Sequence, residues 1–221
     1  MNITKERKAK RLAANIPDKL SANMYNFAIG ACILYGFIVN AIIVFTCSNF
    51  FASMNYIVFI VGYFVSCILG ILVSRSDNPI MSFIGYNLVV VPIGALLAVC
   101  LPSYYVTDIL SAIIVTGTVV AVMMIIATSF PNAFSGMGIT LFIALSVSIV
   151  VELIAMLLGY SGKLFDWIFV VIFSLYIGYD WHKAQLYAKT LDNALDSALD
   201  IYLDIINLFV RILDLISKKK R

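Results

Sequence analysis

Long apolar runs broken by short polar turns organise this chain. Six of them reach, or nearly reach, the roughly 20 helical residues needed to cross a hydrocarbon core about 30 Å thick. They cover residues 26–46, 56–74, 80–101, 107–129, 137–159 and 164–182. The segment Arg75-Ser-Asp-Asn-Pro79 ends the second helix and opens the third. It places Pro79 in a first turn, where a missing N–H leaves no bond unmade. Leu101–Asp108 and Phe130–Gly136 are polar or aromatic turns, and Tyr160–Lys163 is another. No internal repeat is visible.

The seventh segment, residues 193–216, follows a different pattern. Asp192, Asp196, Asp200 and Asp204 recur every four residues, which puts them along one face of a helix. Leu195, Leu199, Ile206, Phe209, Val210 and Leu213 supply its apolar remainder. A helix with an acidic stripe cannot turn that face to lipid. Either the other six helices surround it, or it enters the membrane only partway.

Composition fixes the class. Hydrophobic residues make up 62% of 221 positions, against about 45–50% in globular chains. The chain therefore reads as an all-α integral membrane protein in contact with the lipid bilayer, without a separate soluble domain. It divides into a basic N-terminal segment (1–25), a transmembrane domain (26–216) and a basic tail (217–221). The bases cluster at the ends: Lys5, Arg7, Lys8, Lys10, Arg11 and Lys19, then Lys218, Lys219, Lys220 and Arg221. Beside membrane spans these are topology signals rather than a nucleic-acid surface, and they put the N-terminus in the cytoplasm. If the last segment does not fully cross, every base except Lys163 falls inside, the layout that the charge rule prefers. A full crossing puts Arg211 and the terminal cluster outside. The first 20 residues show no removable signal peptide.

Cys32, Cys47, Cys67 and Cys100 have no CxxC spacing, and the chain holds one histidine, so a zinc site has almost no ligands. No tightly bound cofactor is expected. A disulfide between Cys47 and Cys100 is not indicated, although both lie near span ends on one side.

Candidate chemistry gathers in two strings, FSLYIGYD at Phe173–Asp180 and YLDIINLF at Tyr202–Phe209. Each sets one aspartate in an apolar stretch, where a carboxylate costs several kcal/mol unless paired, protonated or wetted. The midpoint of Asp180 and Asp204 is residue 192, within the polar stretch Thr190–Asn193. A helical hairpin turning there puts each acid about 18 Å deep, at a rise of 1.5 Å per residue. Two carboxylates facing each other in a low dielectric cannot both ionise cheaply and tend to share a proton, which makes the pair a candidate pH switch. The alternative is that each separately caps a helix end or lines an aqueous vestibule.

Arg75 ends the second span on the predicted cytoplasmic side. It either latches one aspartate through its guanidinium or marks the span end by snorkelling. Glu152, within VVELIAMLL, is either a further pathway acid or hydrogen-bonded to Ser, Thr or Tyr on a neighbouring helix. Asp192 and Asp196 read as solvated at the turn, and Asp200 as a second pathway acid beside Asp204. His182 reads as interfacial, next to Trp181.

At these residues the chain resembles the transmembrane Bax inhibitor motif (Bax inhibitor-1-like) family, in its bacterial branch. The likeness rests on FSLYIGYD and LDIYLDIINLF (Leu199–Phe209), with aspartates 24 residues apart. It extends more weakly to Arg75 and to the Thr116–Thr118 TGT. The resemblance implies seven transmembrane helices, six of them in two three-helix layers around a central C-terminal helix that crosses fully. It also implies a pH-sensitive calcium leak of the bacterial plasma membrane, with calcium and protons as the partners that move. The family's paired aspartates fall on Asp180 and Asp204, where calcium binding would be transient, and its latch arginine on Arg75. Gly178 and Trp181-His182 depart from the family pattern, and the second helix, YIVFIVGYFVSCILG, carries no acid.

Other classes compete. An intramembrane aspartyl protease needs a glycine-flanked second acid, and IYLDIIN is bulky on both sides, so no enzyme is expected. A proton-coupled transporter would use the paired acids and Glu152 as a relay, but usually shows a repeat or broken helices. A non-conducting membrane regulator is compatible with the same sequence.

Overall fold

The computed structural model describes residues 19–160 and 162–217. The N-terminal bases Lys5–Arg11 and the Lys218–Arg221 group lie outside the described residues. Among those described, the chain is helical without a strand. The α-helices are α1 (Ala22–Ala52), α2 (Tyr56–Ser74), α3 (Pro79–Cys100), α4 (Val106–Ser129), the single turn α5 (Pro131–Phe134), α6 (Gly138–Leu157), α7 (Lys163–Leu186) and α8 (Leu191–Ile216). Six of these, α1–α4, α6 and α7, are long and apolar enough to cross a membrane. Their exposed surface is strongly apolar, with Phe45, Leu72 and Leu157 among the exposed side chains, as a lipid-facing surface requires. All four cysteines are thiols rather than disulfides.

Cap chemistry sets the helix ends more sharply than hydropathy does. Ser21 Oγ accepts from the Met24 N–H, and α1 then runs 31 residues, well past the apolar run at 26–46. Asn55 Oδ1 caps α2 and Asn78 Oδ1 caps α3, which starts on Pro79 as expected. Gly159, at φ +81°, ends α6: the Tyr160 N–H reaches back to the Ala155 carbonyl, a closure that favours glycine.

The chain forms two compact units. One holds α1–α3 with Leu186–Asp200, and the other holds α4–α7 as far as Gln185 with the remainder of α8. In the first unit α3 packs on both α1 and α2. Pro92 lies inside α3, so the Leu88 carbonyl loses its helical donor. Ser66 Oγ of α2 donates to that carbonyl at 2.7 Å and restores the bond. Tyr86 of α3 donates to the Cys32 carbonyl of α1 at 2.7 Å. Tyr25 at the start of α1 is fully buried, its hydroxyl 3.2 Å from Ser197 Oγ of α8. Lys189, in the α7–α8 turn, stands 4.5 Å over the Tyr25 ring, and burial pushes its ammonium below the usual lysine range.

Small residues let α2 and α3 touch backbone to backbone, a familiar way to join helices in lipid. A Cβ on Gly85 would overlap the Ser74 backbone nitrogen and stand 2.7 Å from the Gly70 carbonyl oxygen. No side chain can swing away to make room. Gly85→Ala is therefore expected to destabilise the protein by about 3 kcal/mol, the upper part of the usual overpacking range. Thermal unfolding in detergent measures this, and an unchanged midpoint would show that α2 and α3 separate without penalty.

Candidate functional site

A single stripe of α7 carries the chemistry of the second unit. Asp166, Phe169, Phe173, Tyr176, Asp180 and Lys183 alternate at spacings of three and four, so they lie along one face. Phe169 stacks on Phe173 with ring centroids 6.1 Å apart, and Phe173 meets Tyr176 at 6.5 Å. Two acids, Asp166 and Asp180, thus enclose three aromatic rings, with Lys183 one turn beyond. On α8, Asp204 and Arg211 are seven residues apart, within about 20° of the same face.

Toward one end of the stripe the two aspartates share a neighbourhood. The Tyr176 phenol lies within electrostatic reach of both Asp204 and Asp180. Asp204 is 7% exposed. The Asp180 side chain is 11% exposed and accepts from Lys183 Nζ at 2.9 Å. Lys183 in turn stands 5.9 Å over the Tyr179 ring. Gly178, a departure from the family pattern, has a packing reason. A Cβ there would strike the Phe134 ring and stand 3.1 Å from the Met123 methyl. Tyr179 likewise fits against Gly138, whose missing side chain makes space for its hydroxyl.

The hairpin differs from the expected symmetric one. The break falls at residues 187–190, not 190–193. Asp180 is six residues from the end of α7, and Asp204 thirteen from the start of α8, about 9 Å and 20 Å along their helices. Equal depth is therefore not what relates the two acids; their shared neighbour is Tyr176. The acidic stripe is also more buried than expected. Asp196, expected to be solvated, is 5% exposed, while Asp192 and Asp200 are half-buried. Residues 193–199 are buried without interruption, close to two full turns, so no face of that stretch is open.

At the other end of the stripe stands a charge cluster. Arg211 of α8 holds Glu152 of α6 by two parallel bonds, Nη1 to Oε1 at 2.6 Å and Nη2 to Oε2 at 2.9 Å. Its Nη1 also donates to Asp166 Oδ1 of α7 at 3.0 Å. The guanidinium carbon lies 4.0 Å from the Phe169 ring centroid. Charge-assisted forked bonds and a stacked face are the two interactions that arginine, unlike lysine, makes together. Nearby, Lys163 Nζ caps the Leu215 carbonyl at 2.7 Å, and Tyr104 donates to Asp214 Oδ1 at 2.6 Å. Among the described residues no three His, Cys, Asp or Glu groups gather as a metal-holding set.

The family model described as inhibitor of apoptosis-promoting Bax1 matches residues 18–221. The chain belongs to that family. No curated protein matches it. In this Bax inhibitor family membrane protein Asp180 stands on α7 and Asp204 on α8. Arg75 is exposed at the C-terminal cap of α2.

Two roles were not legible in the sequence. Glu152 meets an arginine rather than a Ser, Thr or Tyr, and Arg211 had entered only the topology count. The signal was present in FVRILDL: a base inside an apolar stretch needs a partner as much as an acid does. Lys183, three residues after Asp180, is a further partner that the apolar pattern does not mark. An i,i+3 pairing on the same helix would have pointed to it.

Proposed function

We propose that this Bax inhibitor family protein is a pH-sensitive calcium leak channel, with Asp180 and Asp204 as its proton switch and Arg75 as its latch. The observation that supports the reading is the burial of two carboxylates on adjacent helices of one unit, Asp204 buried and Asp180 nearly so, with the Tyr176 phenol within electrostatic reach of each. Calcium is a hard cation that takes oxygen ligands, and a site with only two carboxylates offers weak, transient binding rather than storage. At high pH an ionised aspartate holds Arg75 and the leak is closed. Protonation releases the arginine and opens it. In this reading α8 crosses the membrane as the seventh span, the N-terminus is cytoplasmic, the membrane is the bacterial plasma membrane, and the protein is not an enzyme.

The test is calcium flux into liposomes carrying the purified full chain. Flux should rise as pH falls from 8 to 6, and a flux equal at every pH would sink the switch. In the same assay Arg75→Ala should raise the leak severalfold at pH 8 and change it little at pH 6. A leak unaltered at both would reduce Arg75 to a span-end marker.

A further inference from the structure

Two charge clusters flank a dry aromatic step on one face of α7. Phe169 is 1% exposed and Phe173 is buried with it, whereas Glu152, Asp166 and Arg211 keep 16–24% of their side chains open. We propose that Phe169 and Phe173 are the apolar gate of the conduction path. Arg211, clamped by Glu152 and Asp166, is the positioning residue that holds Phe169 across it. The inference rests on the leak reading and adds a second barrier, in series with the aspartate switch.

The geometry argues for this on three counts. On the α7 stripe the two stacked rings stand between Asp180 and Asp166, so in the proposed path an ion moving along the seam with α8 passes them. An apolar constriction stops ions by excluding water, with no charge of its own. The guanidinium meets the Phe169 face at 4.0 Å while three bonds to two helices fix its position. In the proposed gate this contact favours the closed position of the ring for as long as the charge cluster holds the guanidinium in place. The arginine therefore couples the state of Glu152 and Asp166 to the position of the ring.

Barriers in series make a distinctive prediction. With the aspartate switch open at pH 6, the rings limit the flux; with it closed at pH 8, they do not. Phe173→Ala should raise calcium flux into liposomes about fivefold or more at pH 6 and leave the pH 8 level near wild type. Phe173→Leu, apolar and nearly as bulky, should stay near wild type at both. Arg211→Gln should raise the pH 6 flux too, and adding it to Phe173→Ala should give little more, since both open one gate. If Phe173→Ala does not fold, Phe169→Val makes the same test with a smaller loss of volume. A rise equal at both pH values would mean general loosening and would overturn the gate, as would no rise at pH 6. A calcium-tight wild type at both pH values would defeat the leak reading. The gate then stands only if Phe173→Ala makes the tight protein conduct, and falls if it does not.

Discussion

Asp204→Asn is expected to hold the calcium leak at its acid-pH level throughout the range from pH 6 to 8. Asparagine matches the shape of a protonated aspartate but cannot lose the proton, so the carboxylate that closes the path at high pH never forms. Asp204 is the more enclosed of the two acids. Burial disfavours the charged form of a carboxylate, so of two coupled acids the more enclosed one is the first to test. Asp204→Glu, which restores an ionisable group, should restore a pH response. Liposome flux at several pH values with these two variants decides the matter. An Asp204→Asn protein that still closes at pH 8 would show that the switch lies elsewhere.

Removing Arg211 should cost as much stability as Gly85→Ala does. Arg211→Ala leaves Glu152 and Asp166, which share one guanidinium, facing each other without their base. Breaking a buried pair by deleting one partner costs about 3–5 kcal/mol. The side chains here remain 16–24% exposed, which places the expected loss near the lower end, about 3 kcal/mol. The asymmetry between deleting one partner and deleting all supplies the control. Replacing the cluster together, Arg211→Met with Glu152→Gln and Asp166→Asn, should recover most of the loss. Unfolding midpoints in detergent read both, and a single Arg211→Ala within 0.5 kcal/mol of wild type would mean that the forked bonds contribute nothing net.

Much of the fold was legible because lipid imposes a one-dimensional rule. Backbone groups in hydrocarbon must be paired within their own helix, so an apolar run of span length is a helix wherever it lies in the chain. The starts of α2, α3, α4 and α6 fall within a residue of the apolar pattern, and Pro79 opens α3 as its chemistry requires. Ends governed by single hydrogen bonds were harder to place. Ser21 extends α1 beyond its apolar run, and the helical stretch through Lys183 and Leu186 carries α7 past residue 182 and moves the final turn.

The two aspartates were legible for a related reason: a charge in an apolar stretch stands out against its neighbours in a single sequence. Partners do not. Glu152 and Arg211 are 59 residues apart, and nothing local to either names the other. The same holds for Ser66 repairing the bond that Pro92 removes, and for Phe134 filling the space left by Gly178. The sequence by itself determined which segments enter the membrane and which residues cannot face lipid, because each follows from the residue's own transfer energy. Only the tertiary structure decided which groups satisfy one another, because hydrogen bonds and ion pairs are set by distances of about 3 Å between atoms that helix packing, not sequence order, brings together.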